Sequence, residues 1–270
     1  MIEKKGISAY TLKMIAIIGM AMQHTALVLG EVIPAWLHFP LQFGGGFTFP
    51  IMAFFVVEGY KHTSNLKKYM GRILIFALIS QIPYMIAFES LFLFGITFNI
   101  MFTIFIGLLM LVLYDKMKIR WLFWVIFVIV SIATIFADWG IVGIVMILMY
   151  HIIKSDKARK IATPIVAGSF TFVFGIIVAA VVAVMMIVSG DPIFADAFGA
   201  DTLQSVDDAI VGLAGLMFPL GSFASIAVLL NYNGQRGRNM KYMFYVFYPL
   251  HFVVLALLAF ALGIGTLYFF

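Results

Sequence analysis

Long apolar stretches alternate with short polar connections along the whole chain, and this pattern predicts helices that span a membrane. The hydrocarbon core of a bilayer accommodates about 20 apolar residues of helix. The predicted fold class is an all-α polytopic helical bundle, in one integral membrane domain over residues 1–270. We expect the long stretch 161–189 to tilt or break. Nine transmembrane spans are predicted, near residues 11–30, 42–60, 71–88, 92–114, 120–136, 139–153, 161–189, 210–230 and 243–268.

Positive charge marks only one of the two sets of connections. Cytoplasmic loops of membrane proteins retain Lys and Arg, so this alternation predicts a cytoplasmic N-terminus. An odd number of spans then leaves the C-terminus outside. All 17 Lys and Arg residues lie at the N-terminus (Lys4, Lys5, Lys13) or within residues 61–72, 116–120, 154–160 and 236–241.

The amino-acid composition excludes several classes of protein. The chain is 64% hydrophobic and 11% charged, which is too apolar for an ordinary soluble domain. The membrane topology accounts for the net charge of +5, so no nucleic-acid partner is expected. The sequence has no Cys, which excludes disulfide and thiolate chemistry, and no metal-binding pattern is found. The first apolar run is interpreted as a retained span and not as a cleaved signal peptide.

Ionisable side chains at membrane depth are candidates for function. His24 follows Lys13 on the same helical stripe, about 16 Å further along the axis. His251 in the last span is expected at a similar depth, and Tyr248 lies one turn before it. A neutral imidazole could act as a general base, while Lys13 at the cytosolic boundary could hold an anion. The alternative is that the histidines make two unrelated hydrogen bonds between helices.

A second group of residues could form a basic rim on the cytosolic side for a phosphate-bearing ligand. The topology alone would also account for these charges. Glu58 is expected to form a local ion pair with Lys61 or His62. The acidic segment 190–208 is expected to cap an external mouth. Its acidic residues are better explained by the exclusion of Lys and Arg from external loops than by a specific cation site. The rim candidates are Lys67, Lys68, Arg72, Lys241 and, from the turn-rich loop 231–238, Asn233 and Arg236.

Several motifs in this sequence resemble the TraX family over most of the chain. The last block is the most specific of them. The motifs are Leu12-Lys13-x-Ile15-Ala16-x-Ile18 leading to His24, Phe49-Pro50-Ile51-x-Ala53-Phe54, Glu58-Gly59-Tyr60-Lys61-His62-Thr63, Asn65-x-Lys67-Lys68-Tyr69-x-x-Arg72, Ser80-x-Ile82-Pro83-Tyr84, Asp138-Trp139-Gly140, Tyr232-Asn233-Gly234-x-Arg236-Gly237 and Lys241-Tyr242-x-Phe244-Tyr245-x-Phe247-Tyr248-Pro249-Leu250-His251.

The resemblance implies a membrane acetyltransferase that uses acetyl-CoA from the cytosol. The spacing of Lys13 and His24 is also similar to the basic-x10-His motif of a wider superfamily of membrane acyltransferases, in which that histidine is implied to be catalytic. Many TraX sequences have Asp before this histidine, whereas this chain has Gln23. The implied location is the bacterial cytoplasmic membrane, with lipid around the protein. The implied acceptor is extracytoplasmic, either a pilin N-terminus or a surface glycan.

These observations give a mechanism to test and two alternatives. Acetyl-CoA is expected to bind at Lys13 with Arg72, Arg236 and Lys241 nearby. His24 would deprotonate an amine or hydroxyl or carry the acetyl group itself, and Tyr248 or His251 would donate to the oxyanion. A transporter or flippase with a histidine proton relay and a non-catalytic scaffold are the alternatives. The sequence leaves the oligomeric state open, a homo-oligomer included.

Overall fold

The described part of this protein is helical, in a computed structural model that describes residues 5–88, 97–189, 206–239 and 242–264. Within these ranges the secondary structure consists of α-helices, two short 3-10 helices (Ala35–Leu37 and Thr134–Phe136) and isolated bridges. The helices are α1 Ala9–Val28, α2 His38–Gly46, α3 Thr48–His62, α4 Leu66–Phe88, α5 Ile100–Lys116, α6 Arg120–Ala133, α7 Gly140–Ile152, α8 Asp156–Ser189, α9 Val206–Ala214, α10 Met217–Leu230 and α11 Met243–Ala261.

These helices confirm the all-α class and a multi-pass membrane protein. Each predicted span overlaps described helix, but two spans consist of paired helices: α2 with α3, and α9 with α10. The stretch 161–189, expected to tilt or break, belongs to one 34-residue helix that continues through Pro164. Six helical segments in the described ranges are long and apolar enough to cross a membrane. The count of nine spans and the cytoplasmic N-terminus therefore stay predictions.

The basic connections meet at one end of the helices. Asp115 at the end of α5 accepts hydrogen bonds from Tyr60 of α3 (2.7 Å) and from His151 of α7 (2.8 Å). Arg159, at the start of α8, forms an ion pair with Glu58 at 2.9 Å. The expectation of a local Glu58 pair with Lys61 or His62 is therefore wrong, because packing of α8 against α3 supplies a distant cation.

The other set of connections meets at the opposite end. Gln81 of α4 donates to the carbonyl of Thr97 at 2.6 Å, and Asn99 caps α5 by accepting from the Met101 backbone at 3.0 Å. Thr103 of α5 donates to the carbonyl of Asp138 at 2.6 Å, which fixes the connection before α7. Most of the acidic segment 190–208 lies outside the described residues.

Small residues let α1 approach its neighbours closely. A Cβ atom on Gly19 of α1 would lie 2.2 Å from the carbonyl oxygen of Gly44 in α2, so the two backbones touch. A Cβ atom on Gly46 would lie 2.1 Å from the Phe218 carbonyl of α10. Close backbone contacts at small residues are typical of helix packing in membranes. Helix α1 packs among α2, α3 and α11, with fully buried Leu12 facing the core.

Candidate functional site

Two histidines from the first and last described helices meet in the interior. The Nδ1 atom of His24 in α1 lies 2.7 Å from the Nε2 atom of His251 in α11, and the rings stack with centroids 5.0 Å apart. Both side chains are buried. Phe88 and Phe252 pack around His24, with ring centroids at 5.5 and 4.8 Å. The sequence predicted two histidines at one depth, and the structure joins them by a hydrogen bond.

The hydrogen bonds define which nitrogen of His24 carries a lone pair. The Nδ1 atom of His251 lies 3.1 Å from the backbone oxygen of Phe247, and a carbonyl oxygen can only accept. Nδ1 of His251 is therefore the donor, and in a neutral ring its Nε2 must accept a hydrogen bond from Nδ1 of His24. Nε2 of His24 is left as the unprotonated nitrogen, with no hydrogen-bonding partner among the described residues.

A cavity of about 270 Å³ extends from the basic end of the helices towards this pair. Its mouth carries Lys13, Arg236, Arg238 and Asn239, and no acidic side chain among the described residues lines it. Its walls are mostly apolar and aromatic. An anionic head group with a narrow apolar extension matches this combination of a cationic mouth and an apolar interior.

The loop at residues 231–239 builds the mouth by packing on the start of the chain. The backbone N–H groups of Ala9 and Tyr10 donate to the carbonyls of Gln235 (2.8 Å) and Arg236 (3.2 Å). Gly237 has φ +65°, a conformation in which glycine avoids the strain of a Cβ atom. These contacts hold Arg236 beside the first turns of α1, where Lys13 lies.

The opposite end of the cavity stops one helical turn short of the histidines. Met20 lines this end, four residues before His24 on the same stripe of α1, and Tyr248 lines it three residues before His251. Tyr248 is only 2% exposed; the backbone N–H of Ile100 approaches its oxygen, and the hydroxyl itself donates to no described residue. A buried O–H without an acceptor is costly, so this group is poised to donate to a polar atom of a ligand.

A carboxyl group lies on the far side of Tyr248. Asp138 interacts electrostatically with the hydroxyls of Tyr84 and Tyr248. Burial raises the pKa of the Asp138 carboxyl to about 7, although a hydrogen bond with the Trp139 backbone opposes that shift. Asp138 can therefore exchange a proton near neutral pH.

The structure assembles only part of the predicted basic rim. Lys13 and Arg236 meet at the cavity mouth, whereas Lys67 and Lys68 are exposed away from it. Arg72 does not line the cavity, and its buried Nε atom has no partner among the described residues. Lys241 lies outside the described residues.

Asn233 serves the loop and not the cavity. Its side chain donates to the carbonyl of Gly6 at 3.3 Å, which ties the loop to the N-terminal segment. The loop 231–238, predicted as part of the rim, also brings Arg238 to the mouth. Sequence reasoning missed Asn239, the next residue, and it missed Tyr69 and Tyr245 in the cavity wall.

Comparisons with known proteins identify relatives of this chain. The family model described as TraX protein matches residues 8–259. The chain is similar to a probable fimbrial assembly protein FimC, serogroup H1, of Dichelobacter nodosus, with 31% identity over 263 residues. That alignment covers 92% of this chain and 94% of the relative. No solved structure matches.

Proposed function

The chain belongs to the TraX family, and from this premise we propose that it is an acetyl-CoA-dependent acetyltransferase of the bacterial cytoplasmic membrane. One observation carries the proposal: a cavity with a cationic mouth leads through apolar walls to within a helical turn of a buried histidine pair. The acceptor would be an extracytoplasmic amine or hydroxyl. The name of the Dichelobacter relative refers to fimbrial assembly, which supports a pilin subunit as the acceptor over a surface glycan.

The donor would bind from the basic end. Lys13, Arg236 and Arg238 would contact the phosphates of coenzyme A, since charge-assisted hydrogen bonds favour Arg and Lys at phosphate oxygens. The pantetheine arm would follow the apolar walls past Phe55 and Phe247. This binding mode would bring the thioester to the end lined by Met20 and Tyr248. A small movement of the flexible Met20 side chain would then open the path to His24.

His24 would act as the general base. Its Nε2 atom would take the proton of the acceptor amine while the amine nitrogen forms a bond to the thioester carbonyl carbon. The carbon–sulfur bond would then break, and the thiolate would recover the proton from His24 to leave as coenzyme A. The products are an acetylated acceptor and free thiol, so protons and electrons balance.

Two neighbouring groups support the chemistry. The Tyr248 hydroxyl would donate to the oxyanion of the tetrahedral intermediate, because it is buried and its O–H donates to no described residue. His251 would position His24, since its own nitrogens are engaged by Phe247 and His24. On the far side of Tyr248, the Asp138 carboxyl would receive the acceptor amine.

The test measures acetyl-CoA binding and thiol release by the protein in nanodiscs, with a peptide that has a free N-terminal amine as acceptor. His24→Ala should lower thiol release by at least about 100-fold, the usual contribution of a general base, with unchanged acetyl-CoA binding. Lys13→Ala should weaken binding. The matched control is His38→Ala, because His38 is also buried but bonds only weakly to the Gly30 carbonyl at 3.4 Å.

Two outcomes would contradict the proposal. If His24→Ala still releases thiol at the wild-type rate, His24 is not the general base. If the wild-type protein neither binds nor cleaves acetyl-CoA, acetyl-CoA is not the donor. A transporter has no reason to cleave a thioester, so binding without release would favour transport.

A further inference from the structure

The closed end of the cavity contains residues from a helix that enters from the opposite side. The mouth lies at the basic end, where α1 begins, but α5 begins at the other end, beside Asn99 and the Phe98–Ala137 bridge. Met101 and Ile104 in the first turns of α5 nevertheless line the cavity. They therefore form the wall farthest from the mouth.

This far wall stands next to the buried tyrosine hydroxyl. Tyr248 lies close to the backbone of Ile100, the residue before Met101. Met101 is 6% exposed and Ile104 is 3% exposed, so both side chains are packed and not lipid-facing. A carbonyl group that accepts a hydrogen bond from Tyr248 would direct its alkyl substituent towards this wall.

We propose that Met101 sets the length of the acyl group by closing the subsite behind the thioester carbonyl to anything longer than acetyl. The inference rests on the proposed function and adds a residue that determines donor specificity. The methyl group of an acetyl thioester would contact the Met101 thioether. A propionyl or butyryl chain would overlap it, and a packed interior does not absorb extra methylenes without strain.

The size of the side chain makes the effect testable. Beyond Cβ, Met101 has three heavy atoms, and a butyryl group has two more carbons than acetyl. Met101→Ala therefore frees enough space for a butyryl chain. Each methylene in such a pocket changes specificity by about tenfold or more. Met20 also borders this end, but its proximity to His24 makes it less suitable for the test.

The experiment compares thiol release from acetyl-, propionyl- and butyryl-CoA by wild type and Met101→Ala in nanodiscs. The wild type should prefer acetyl-CoA, and Met101→Ala should raise the butyryl-to-acetyl ratio of kcat/KM by about tenfold or more. Met243→Ala is the matched control, because Met243 lines the cavity at the start of α11, near the mouth. That control should leave the ratio unchanged.

The outcomes separate this inference from the proposed function. If the wild type cleaves acetyl-CoA but Met101→Ala keeps its ratio, the role of Met101 is contradicted and the acetyltransferase stands. The same shift in Met243→Ala would also contradict it. A wild type that cleaves no acyl-CoA overturns both proposals. If Met101→Ala fails to fold, Met101→Val removes less volume and should shift the preference towards propionyl-CoA.

Discussion

At the scale of single residues, hydrogen bonds distinguish the two histidines. His251 has both ring nitrogens occupied, one by a backbone carbonyl and one by His24. His24 has one nitrogen left over. The sequence predicted that both residues lie at the same depth, because depth follows from the rise of a helix. It assigned the role of base to His24, but it could not predict which nitrogen of that ring is unprotonated, because that depends on a hydrogen bond across 227 positions of the chain.

Replacement of His251 should separate a positioning role from a structural one. A Gln side chain carries a carbonyl oxygen that can accept from Nδ1 of His24, whereas Leu cannot accept a hydrogen bond. His251→Gln should keep thiol release within about tenfold of wild type, and His251→Leu should lose about 100-fold. The measurements are the rate of thiol release and the affinity for acetyl-CoA. Both variants should retain the wild-type affinity. Equal losses in the two variants would contradict the positioning role.

At the scale of elements, the helices followed from the apolar pattern but their junctions did not. The break between α2 and α3 at Phe47 directly follows Gly44, Gly45 and Gly46, which weaken a helix, but a glycine run does not show whether a span bends or a helix ends there. The cavity mouth also depends on long-range pairing. Ile7 forms a bridge with Tyr232, so the N-terminal segment and loop 231–239 hold each other. The sequence showed a basic loop but not its partner, so it could not show which residues of the loop line the cavity.

Two glycines in this loop provide a matched pair of substitutions. Gly237 and Gly234 both have positive φ, +65° and +78°, so alanine should cost about 1 kcal/mol at either position. A Cβ atom on Gly237 would also lie 2.7 Å from Oγ of Ser8, whereas Gly234 has open space around it. Gly237→Ala should therefore displace the loop from α1 and weaken acetyl-CoA binding severalfold. Gly234→Ala should bind almost normally, and calorimetric Kd values for the two variants measure the difference. Similar Kd values would show that the contact with Ser8 does not shape the mouth.

At the scale of the whole molecule, the distribution of charge predicted the architecture better than it predicted the contacts. The basic connections do meet at one end, as the alternation of charge indicated. The ion-pair partners at that end were not predictable, because Glu58 pairs with Arg159 of α8 and not with a neighbour in its own helix. Hydropathy depends only on the composition of each segment, whereas an ion pair depends on which helices pack together in the folded protein. The count of spans was not confirmed for a similar reason, since α5, α6 and α7 have 17, 14 and 13 residues and are shorter than the six segments long enough to cross.

The orientation of the bundle can be measured directly because the chain has no Cys. A single introduced cysteine is then the only thiol that a membrane-impermeant maleimide can label. The charge alternation predicts labelling of intact cells at Glu31→Cys, which follows α1. Lys118→Cys and Ser155→Cys, in the two basic connections that flank α6 and α7, should react only after the membrane is opened. All three positions are exposed and lie outside the predicted spans, so a failure to label reports sidedness and not burial. The reverse pattern would put the cationic mouth of the cavity outside, away from cytosolic acetyl-CoA, and would contradict the proposed function as well as the topology.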